Sequence, residues 1–374
     1  MKAGVERLMS DKMNFMAENG HEITLVTYEQ GTHTLPFPLH KNIKQVDLDT
    51  RFFTLKKYGL PRRFIEAIRL QKVFRRRLQK IVDDVHPDII HCTTYSINLI
   101  RAILKLETRA RLTIESQVSF DSILKENDFK SKVLFRLFAR CYDYCTLKKL
   151  KKFDAFFALT KGDAAHWEPF VSKLYIIPNP LTFYPEQIEK KADTQYRIIC
   201  AGRLNHQKGF DLLIKAFALI SDKCPQWHID IFGDGDEEST LRSLIIQNGL
   251  EGKIILNHAT DNVFEEFLKS DFFVFSSRFE GWGLVLVEAM SCGIPAISFR
   301  CKYGPEDIIT DGKDGLLVTD GNIEELAERI LWMTNHPEQC RILGKEARIT
   351  ARRYKKDIVI QQWIDIFENL HKKQ

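Results

Sequence analysis

The apolar positions of this chain follow two periods, and its second half separates them most cleanly. Short, predominantly apolar runs at Tyr196–Ala201, His228–Phe232, Lys253–Asn257, Phe272–Phe275, Ile294–Phe299 and Gly315–Val318 predict strands, with Phe272–Phe275 apolar on both faces. Between and after them, apolar residues three and four apart predict helices over Phe210–Ser221, Glu238–Asn248, Val263–Lys269, Leu284–Cys292, Ile323–Thr334 and Pro337–Arg353. Alternation of this kind makes a parallel sheet with helices on both faces. A last helix, over Asp357–Leu370, has no strand after it.

The first half keeps the same rhythm less regularly. Gly4–Asn19 predicts a helix with Val5, Leu8, Met9, Met13 and Met16 on one stripe, stopped by Gly20 and followed by a strand over Ile23–Tyr28. A doubly wound domain normally opens on a strand ahead of its first helix. Here that strand is expected to be missing, and the chain starts in what would be the glycine loop. Then come a short strand at Val46–Leu48, a basic helix over Pro61–Val85 and a strand at Asp88–Cys92. A helix over Ile97–Leu106, a strand at Arg111–Glu115 and a two-faced helix over Phe129–Phe153 follow. Strands at Ala155–Leu159 and Tyr175–Ile177 close the half; Pro178-Asn179-Pro180 turns the chain, and polar Thr182–Thr194 is the predicted linker.

Composition changes this picture little. A chain of 374 residues has room for two domains, and 44% hydrophobic with 28% charged residues is the make-up of an ordinary globular protein. The net charge of +5 is too mild to argue for nucleic acid, although basic residues crowd the first half. Eight cysteines without a C-x-x-C spacing suit a reducing cytoplasm and apolar packing. No apolar run reaches the roughly 20 residues of a membrane span. Met1-Lys2-Ala3-Gly4 leads into a polar helix without a signal-peptide pattern, so the expected location is cytoplasmic, with the inner face of the membrane as an extension of it.

Parallel strands bring the loops after them to one edge, where anionic ligands bind at helix N-termini. Four such loops carry candidate chemistry. In Gly202–Gly209, glycines allow a close turn while Arg203 and Lys208 offer cations to phosphate oxygens. Gly233-Asp234-Gly235 is a tight turn, and His258–Asn262 is placed to flank a nucleobase. The stretch Ser270–Phe299 carries Glu280 in its loop and Glu288 in its helix, flanking Gly281-Trp282-Gly283-Leu284. Each feature alone is weak; their convergence on one edge carries the reading.

These residues also resemble a known family. Gly202-Arg203, Gln207-Lys208-Gly209-Phe210-Asp211, Gly233-Asp234-Gly235, the run RFEGWGLVLVEAMSCGIPAIS and Gly304-Pro305 with Asp311-Gly312 and Asp314-Gly315 look like the retaining glycosyltransferases of family 4. The resemblance implies a GT-B fold: two Rossmann-like doubly wound domains facing each other across a cleft. The acceptor-side domain would cover residues 1–186 and the donor domain residues 195–353, with residues 354–374 crossing back. It implies that Arg203 and Lys208 bind the donor diphosphate and that Glu280 faces the donor hexose. Glu288 would hold the ribose hydroxyls; Gly202, Gly233, Gly281, Trp282, Gly283 and Leu284 would line the donor site. Gly4, His91 and Gln117 would face the acceptor side, Gln117 standing where many relatives carry a His.

The implied activity is transfer of a hexose from a UDP- or GDP-sugar to a glycan or lipid-linked glycan, with no cofactor and no metal. Two other readings stay open. A dinucleotide-dependent oxidoreductase shares the rhythm, but Gly233-Asp234-Gly235 lacks the third glycine of G-x-G-x-x-G. A truncated scaffold that binds the nucleotide sugar without catalysis would follow from a missing central strand. The basic, two-faced segment Phe129–Lys152 either packs on the first domain or lies on an anionic membrane surface.

Overall fold

The computed structural model describes residues 4–117, 119–120, 144–188 and 195–372. The chain divides into two compact units. The first comprises Met1–Leu159, Ala164–Ile177 and Asp357–Gln374; the second comprises Thr160–Asp163 and Pro178–Lys356.

In the first unit α1 (Gly4–Glu18) is the first element among the described residues. It leads to β1 (Thr24–Thr27), which pairs in parallel with β2 (Lys44–Asp47). After α2 (Leu60–Val85) come β3 (Ile89–Thr93), α3 (Ile100–Ile103), β4 (Arg111–Glu115), β5 (Ala155–Ala158), α4 (Lys161–Trp167) and β6 (Leu174–Ile176). The strands β3, β4, β5 and β6 form a parallel sheet in that order. Strand β5 is apolar throughout because both faces are covered. Phe156 and Ala158 pack with Phe74, Leu78 and Trp167, while Ala155 and Phe157 meet Val359, Ile360 and Trp363 of the terminal helix.

Three expectations change here. The helix expected over Ile97–Leu106 is a 3-10 turn, Thr94–Leu99, followed by the single α-turn of α3. Of the helix expected over Phe129–Phe153, residues 129–143 lie outside the described residues. Residues 144–147 are helical, and Lys148–Lys152 then tightens to 3-10 geometry. There Leu147 and Leu150, three apart, share the buried side.

The third change concerns the linker. The chain passes into the second unit at Pro178, ahead of the polar segment predicted to join the domains. Residues 181–186 are held on that unit: the Leu181 amide donates to the Tyr354 carbonyl at 2.7 Å, and Arg348 donates to the carbonyls of Pro185 and Glu186. One guanidinium satisfies a stretch that cannot make its own backbone bonds. Of the thiols, Cys200, Cys224, Cys292, Cys301 and Cys340 are buried as expected, Cys145 is exposed against expectation, and Cys141 lies outside the described residues.

The second unit holds β7 (Arg197–Ala201), α5 (Phe210–Ala218), β8 (His228–Phe232), α6 (Glu238–Gln247), β9 (Ile254–Asn257) and α7 (Val263–Leu268). It continues with β10 (Phe272–Phe275), α8 (Leu284–Ser291), β11 (Ala296–Phe299), α9 (Pro305–Ile308), β12 (Gly315–Val318), α10 (Ile323–Asn335) and α11 (Pro337–Ala351); α12 (Lys356–His371), the last element among the described residues, belongs to the first unit from Asp357 on. The sheet order is β12-β11-β10-β7-β8-β9, all parallel. From β7 the chain steps outward to β8 and β9, then returns to the other side of β7 with β10. That reversal puts a topological switch point between β7 and β10, where open α/β sheets bind ligands. Below it, Ile198, Ile229, Phe272, Val274 and Ile297 pack against Leu213, Phe217, Leu326 and Ile330.

Candidate functional site

The loops leaving β7 and β10 meet at the switch point and are tied together by five contacts. The Arg278 amide donates to the Gln207 carbonyl at 2.8 Å, and the Ser276 hydroxyl to the Lys208 carbonyl at 3.0 Å. Gln207 Nε2 donates to the Phe279 carbonyl at 3.0 Å. Arg278 donates to the His206 carbonyl and grips Asp211, in the first turn of α5, with two bonds of 2.7 Å. The Arg278 guanidinium holds the Asp211 carboxyl below its usual range against the opposing effect of burial. A bidentate pair of this kind fixes orientation as well as distance.

This frame presents Lys208 and Glu280 to each other. Their ammonium and carboxylate lie 2.8 Å apart, both largely shielded from water, and Gln207 Nε2 reaches the second oxygen of Glu280 at 3.4 Å. The Glu280 backbone is fixed from the loop after β11, its amide donating to the Lys302 carbonyl at 2.5 Å and its carbonyl accepting from the Tyr303 amide at 3.0 Å. Arg203, in the same loop as Lys208, is exposed and pairs with no carboxylate among the described residues. The site therefore joins one neutralised cation to one exposed cation.

The glycines of the β7 and β8 loops act through close packing. A Cβ on Gly233 would fall 1.9 Å from the Gly202 carbonyl oxygen, and one on Gly235 would fall 2.2 Å from that of Leu204. Gly202 donates to the Phe232 carbonyl and Leu204 to that of Asp234, so the two loops lie backbone to backbone. Asp234 also meets His258 of the next loop at 2.9 Å, and that contact raises the His258 pKa.

Gly283 precedes α8 with φ of 102°, a conformation that an L side chain resists, and no side chain caps the helix. The N-terminus beginning at Leu284 is thus left to a ligand or to water, with its dipole favouring negative charge. Gly281 is half-buried ahead of it, and Trp282 is buried with its ring edge-on to Tyr354 at 5.3 Å. Glu288 is half-buried one turn into α8 and accepts a 3.3 Å bond from the Thr182 hydroxyl. The structure thus brings Gly202, Arg203, Lys208, Gly233, Glu280, Gly281, Trp282, Gly283, Leu284 and Glu288 into one run of adjoining loops.

The first-unit candidates sit elsewhere in chemical terms. His91 lies in β3 with Nδ1 at 2.9 Å from the Thr113 hydroxyl, its ring against Trp363 and Phe367. Its Nε2 is 3.4 Å from Glu115, which also holds Lys12 at 2.6 Å. Burial alone would push the Glu115 carboxyl up; Lys12 and His91 outweigh it and hold the carboxyl at about 2. Gln117 follows β4 at its carboxyl end and is buried, yet neither its amide nitrogen nor its oxygen has a partner among the described residues. Gly4 opens α1.

Sequence reasoning quoted Gln207, Asp211 and Arg278 within motifs but gave them no framing role, and it missed Ser276 as a frame residue and the buried pair Lys12–Glu115. Lys12 carried a signal: a lysine between Leu8 and Met16 sits on an otherwise apolar stripe. Among the described residues no cluster of three or more His, Cys, Asp and Glu is placed to hold a metal ion, and no helix is long and apolar enough to cross a membrane.

Comparison with known proteins identifies the family of the chain. A model described as Glycosyltransferase Family 4 matches residues 3–182, and one described as Glycosyl transferases group 1 matches residues 185–350. An uncharacterized glycosyltransferase of Haemophilus influenzae is 24% identical over 364 residues, covering 96% of this chain and 95% of that protein. The poly(glycerol-phosphate) alpha-glucosyltransferase of Bacillus subtilis is 29% identical over 189 residues, 48% of this chain but 28% of that enzyme. Among solved structures, sucrose-phosphate synthase from Thermosynechococcus elongatus superposes with a TM-score of 0.77 at 18% identity, covering 100% of this chain and 94% of that one. The chain belongs to the glycosyltransferases of family 4, its first half matched by the family 4 model and its second by the group 1 model, on a GT-B fold of two Rossmann-like units.

Proposed function

We propose that the protein moves a hexose from a UDP- or GDP-sugar to a glycan acceptor with retention, in the cytoplasm, during assembly of a cell-surface polysaccharide or lipid-linked oligosaccharide. The observation that carries this reading is the Lys208–Glu280 pair at the β7/β10 switch point, beside exposed Arg203 and the uncapped N-terminus of α8. Two cations and a helix N-terminus suit a diphosphate. A polymer acceptor is supported by the name of the Bacillus subtilis relative, a poly(glycerol-phosphate) glucosyltransferase.

On this reading the diphosphate replaces Glu280 as the partner of Lys208. Lys208 and Arg203 then offset the charge that grows on the leaving phosphate as the anomeric C–O bond breaks, so no metal is required for that task. Glu280, released from its ion pair, faces the hexose and opposes the positive charge at the anomeric carbon. Glu288 accepts hydrogen bonds from the ribose hydroxyls, with Thr182 setting its rotamer. The acceptor hydroxyl attacks from the face the phosphate leaves and gives its proton to that phosphate. Gln117 offers its unpartnered amide to the acceptor side, with His91 and Gly4 shaping the same unit.

The test is transfer from radiolabelled UDP- and GDP-sugars to membrane-derived acceptors. Wild type is expected to label the acceptor with one donor class, and Glu280→Ala to abolish labelling while nucleotide binding, followed calorimetrically, persists. Nucleotide binding by wild type without transfer from any donor would reject this reading for that of a non-catalytic scaffold.

A further inference from the structure

Helix α2 runs for 26 residues, about 39 Å at the usual helical rise. Its second half is anchored: Phe74, Leu78 and Val82, four residues apart, are buried on the first unit's core. Its first half is not. From Pro61 to Val73 no side chain is buried, and Phe64 and Ile65 are 68% and 65% exposed. Ile68 joins them on the same side, and Phe53, also exposed, lies in the 3-10 turn Phe52–Lys57 packed against α2. Three large apolar side chains clustered in water on one helix face, Phe64, Ile65 and Ile68, are uncommon on a folded surface and mark an interaction site.

Their surroundings are strongly cationic. Residues 51–82 hold eleven Lys and Arg against a single Glu, in a chain whose net charge is +5, so the remainder is net negative. The one acidic side chain, Glu66, pairs with Arg69 at 3.6 Å, and Arg77 is occupied by the carbonyls of Leu48 and Asp49. Lys56, Lys57, Lys72, Arg75 and Arg76 are exposed and make no ion pair among the described residues. Helical spacing continues the apolar patch directly into a cationic stripe, from Ile65 and Ile68 to Arg69, Lys72 and Arg76.

We propose that the first half of α2 docks on an anionic lipid bilayer, with Phe64, Ile65 and Ile68 entering the acyl boundary and the flanking cations meeting lipid phosphates. A nucleic acid would satisfy the cations and leave Ile65 and Ile68 in water, since aliphatic side chains do not stack on bases. An uncharged protein groove would cover the apolar residues and leave the cations without counter-charges. An anionic bilayer satisfies both in the arrangement seen, apolar side chains bordered by Lys and Arg. The inference adds to the function proposed above the surface on which a lipid-linked acceptor would be met. It does not depend on transfer being observed.

The test is co-sedimentation of the full chain with phosphatidylcholine vesicles with and without phosphatidylglycerol. Wild type is expected to bind the anionic vesicles and not the neutral ones. Arg69→Gln/Lys72→Gln should weaken binding about twenty-fold, given the attraction of each cation to an anionic surface. Phe64→Ser/Ile65→Ser should weaken it about ten-fold or more through lost acyl contact. Ile349→Ser, at an equally exposed apolar position on α11, should bind as wild type, and unchanged thermal melts would show that all variants fold. Failure of wild type to bind anionic vesicles overturns the proposal, as does an equal loss in Ile349→Ser. So does unaltered binding by Phe64→Ser/Ile65→Ser with RNA displacing the vesicles, which would make the surface a general polyanion site. Nucleotide binding measured on the same variants separates loss of this surface from failure of the donor site.

Discussion

The Lys12 ammonium lies 2.6 Å from the Glu115 carboxylate, joining α1 to the end of β4 across 103 residues of sequence. Both side chains are almost wholly withdrawn from water, and the ammonium also sits 3.8 Å from the centre of the Trp363 ring. The contact fastens the first helix to the sheet and to the terminal helix at a single point. Buried pairs of this kind add little over apolar packing but are costly to break on one side. Lys12→Met should therefore lower stability by up to about 3–5 kcal/mol, by leaving the buried Glu115 carboxylate with His91 as its one remaining partner among the described residues. Lys12→Met/Glu115→Leu should recover most of that loss. Urea unfolding of the two single variants and the double variant tests this; additive losses would show that the two charges do not act as a unit.

The same carboxylate sets an acid response. Glu115 is held at about 2 against an ordinary 4.5, so folding favours its ionised form. The unfolded chain takes up the proton first, and the stabilisation is complete above about pH 4.5 and lost as pH falls toward 2. Wild type should lose stability more steeply over that window than Lys12→Met/Glu115→Leu, in which neither charge remains. Parallel slopes in urea titrations at several pH values would contradict the assignment.

Arg278 and Asp211 make the corresponding prediction for the second unit. Their two 2.7 Å bonds hold the loop carrying Glu280 against α5. Asp211→Asn should cost about 1–3 kcal/mol, as expected for a charge-assisted bond lost at a half-buried site. It should also weaken nucleotide binding, although Asp211 points to a loop and not to the ligand. Arg278→Lys should restore less than half of the effect of Arg278→Ala, because an ammonium cannot form the fork. Melting curves and calorimetric UDP titrations of these variants distinguish a loop-positioning role from a purely structural one, which would leave affinity unchanged.

What was legible in the chain follows from these contacts. Strands β8, β10 and β12 match their expected bounds because polar or glycine residues mark their ends: Gly233 after β8, Asp271 and Ser276 around β10, Asp314 and Thr319 around β12. The candidate-site loops were readable because short-range residues — the glycines, Arg203, Lys208, Glu280 and Glu288 — announce themselves in order along the sequence. Arg278 and Asp211 were not, since the bond that gives them meaning spans 67 residues. The Lys12–Glu115 pair spans still more. The four-residue α9 was missed for another reason: one turn opened by Pro305 has no periodicity to detect. The change of unit at Pro178 was displaced because Arg348, over 160 residues away, supplies the bonds that make 181–186 part of the second unit.

Gly233 allows steric fit to be separated from backbone strain. An alanine Cβ there would fall 1.9 Å from the Gly202 carbonyl oxygen, a backbone atom that moves only with its loop. At Gly249, φ is +65° and nothing lies within 4 Å, so alanine meets strain alone. Gly249→Ala should cost about 1–2 kcal/mol, the usual price of a left-handed L residue. Gly233→Ala should cost about 1–3 kcal/mol from overpacking and, unlike Gly249→Ala, should shift Arg203 and Lys208 and weaken nucleotide binding. Equal nucleotide affinity in the two variants would mean that the β7 loop absorbs the added carbon without moving its cations.

The last prediction concerns how Lys208 and Glu280 divide their work. They neutralise each other at 2.8 Å, and on the proposed reading, in which a diphosphate takes Lys208, each should matter differently. On the proposed reading Lys208→Met removes charge that binds the phosphate in the ground state and more strongly as charge grows on it in the transition state. It should raise KM and lower kcat together, and leave Glu280 without its ion pair. Glu280→Gln keeps the Gln207 contact and the loop, yet removes the negative charge that opposes the developing positive charge on the sugar. Its effect should fall on kcat, by about 10²–10³-fold, the range seen when one preorganised electrostatic group is lost. Steady-state kinetics with the preferred donor reads both. A Glu280→Gln enzyme with raised KM and unchanged kcat would make the carboxylate a partner for Lys208 alone, with no part in stabilising the transition state.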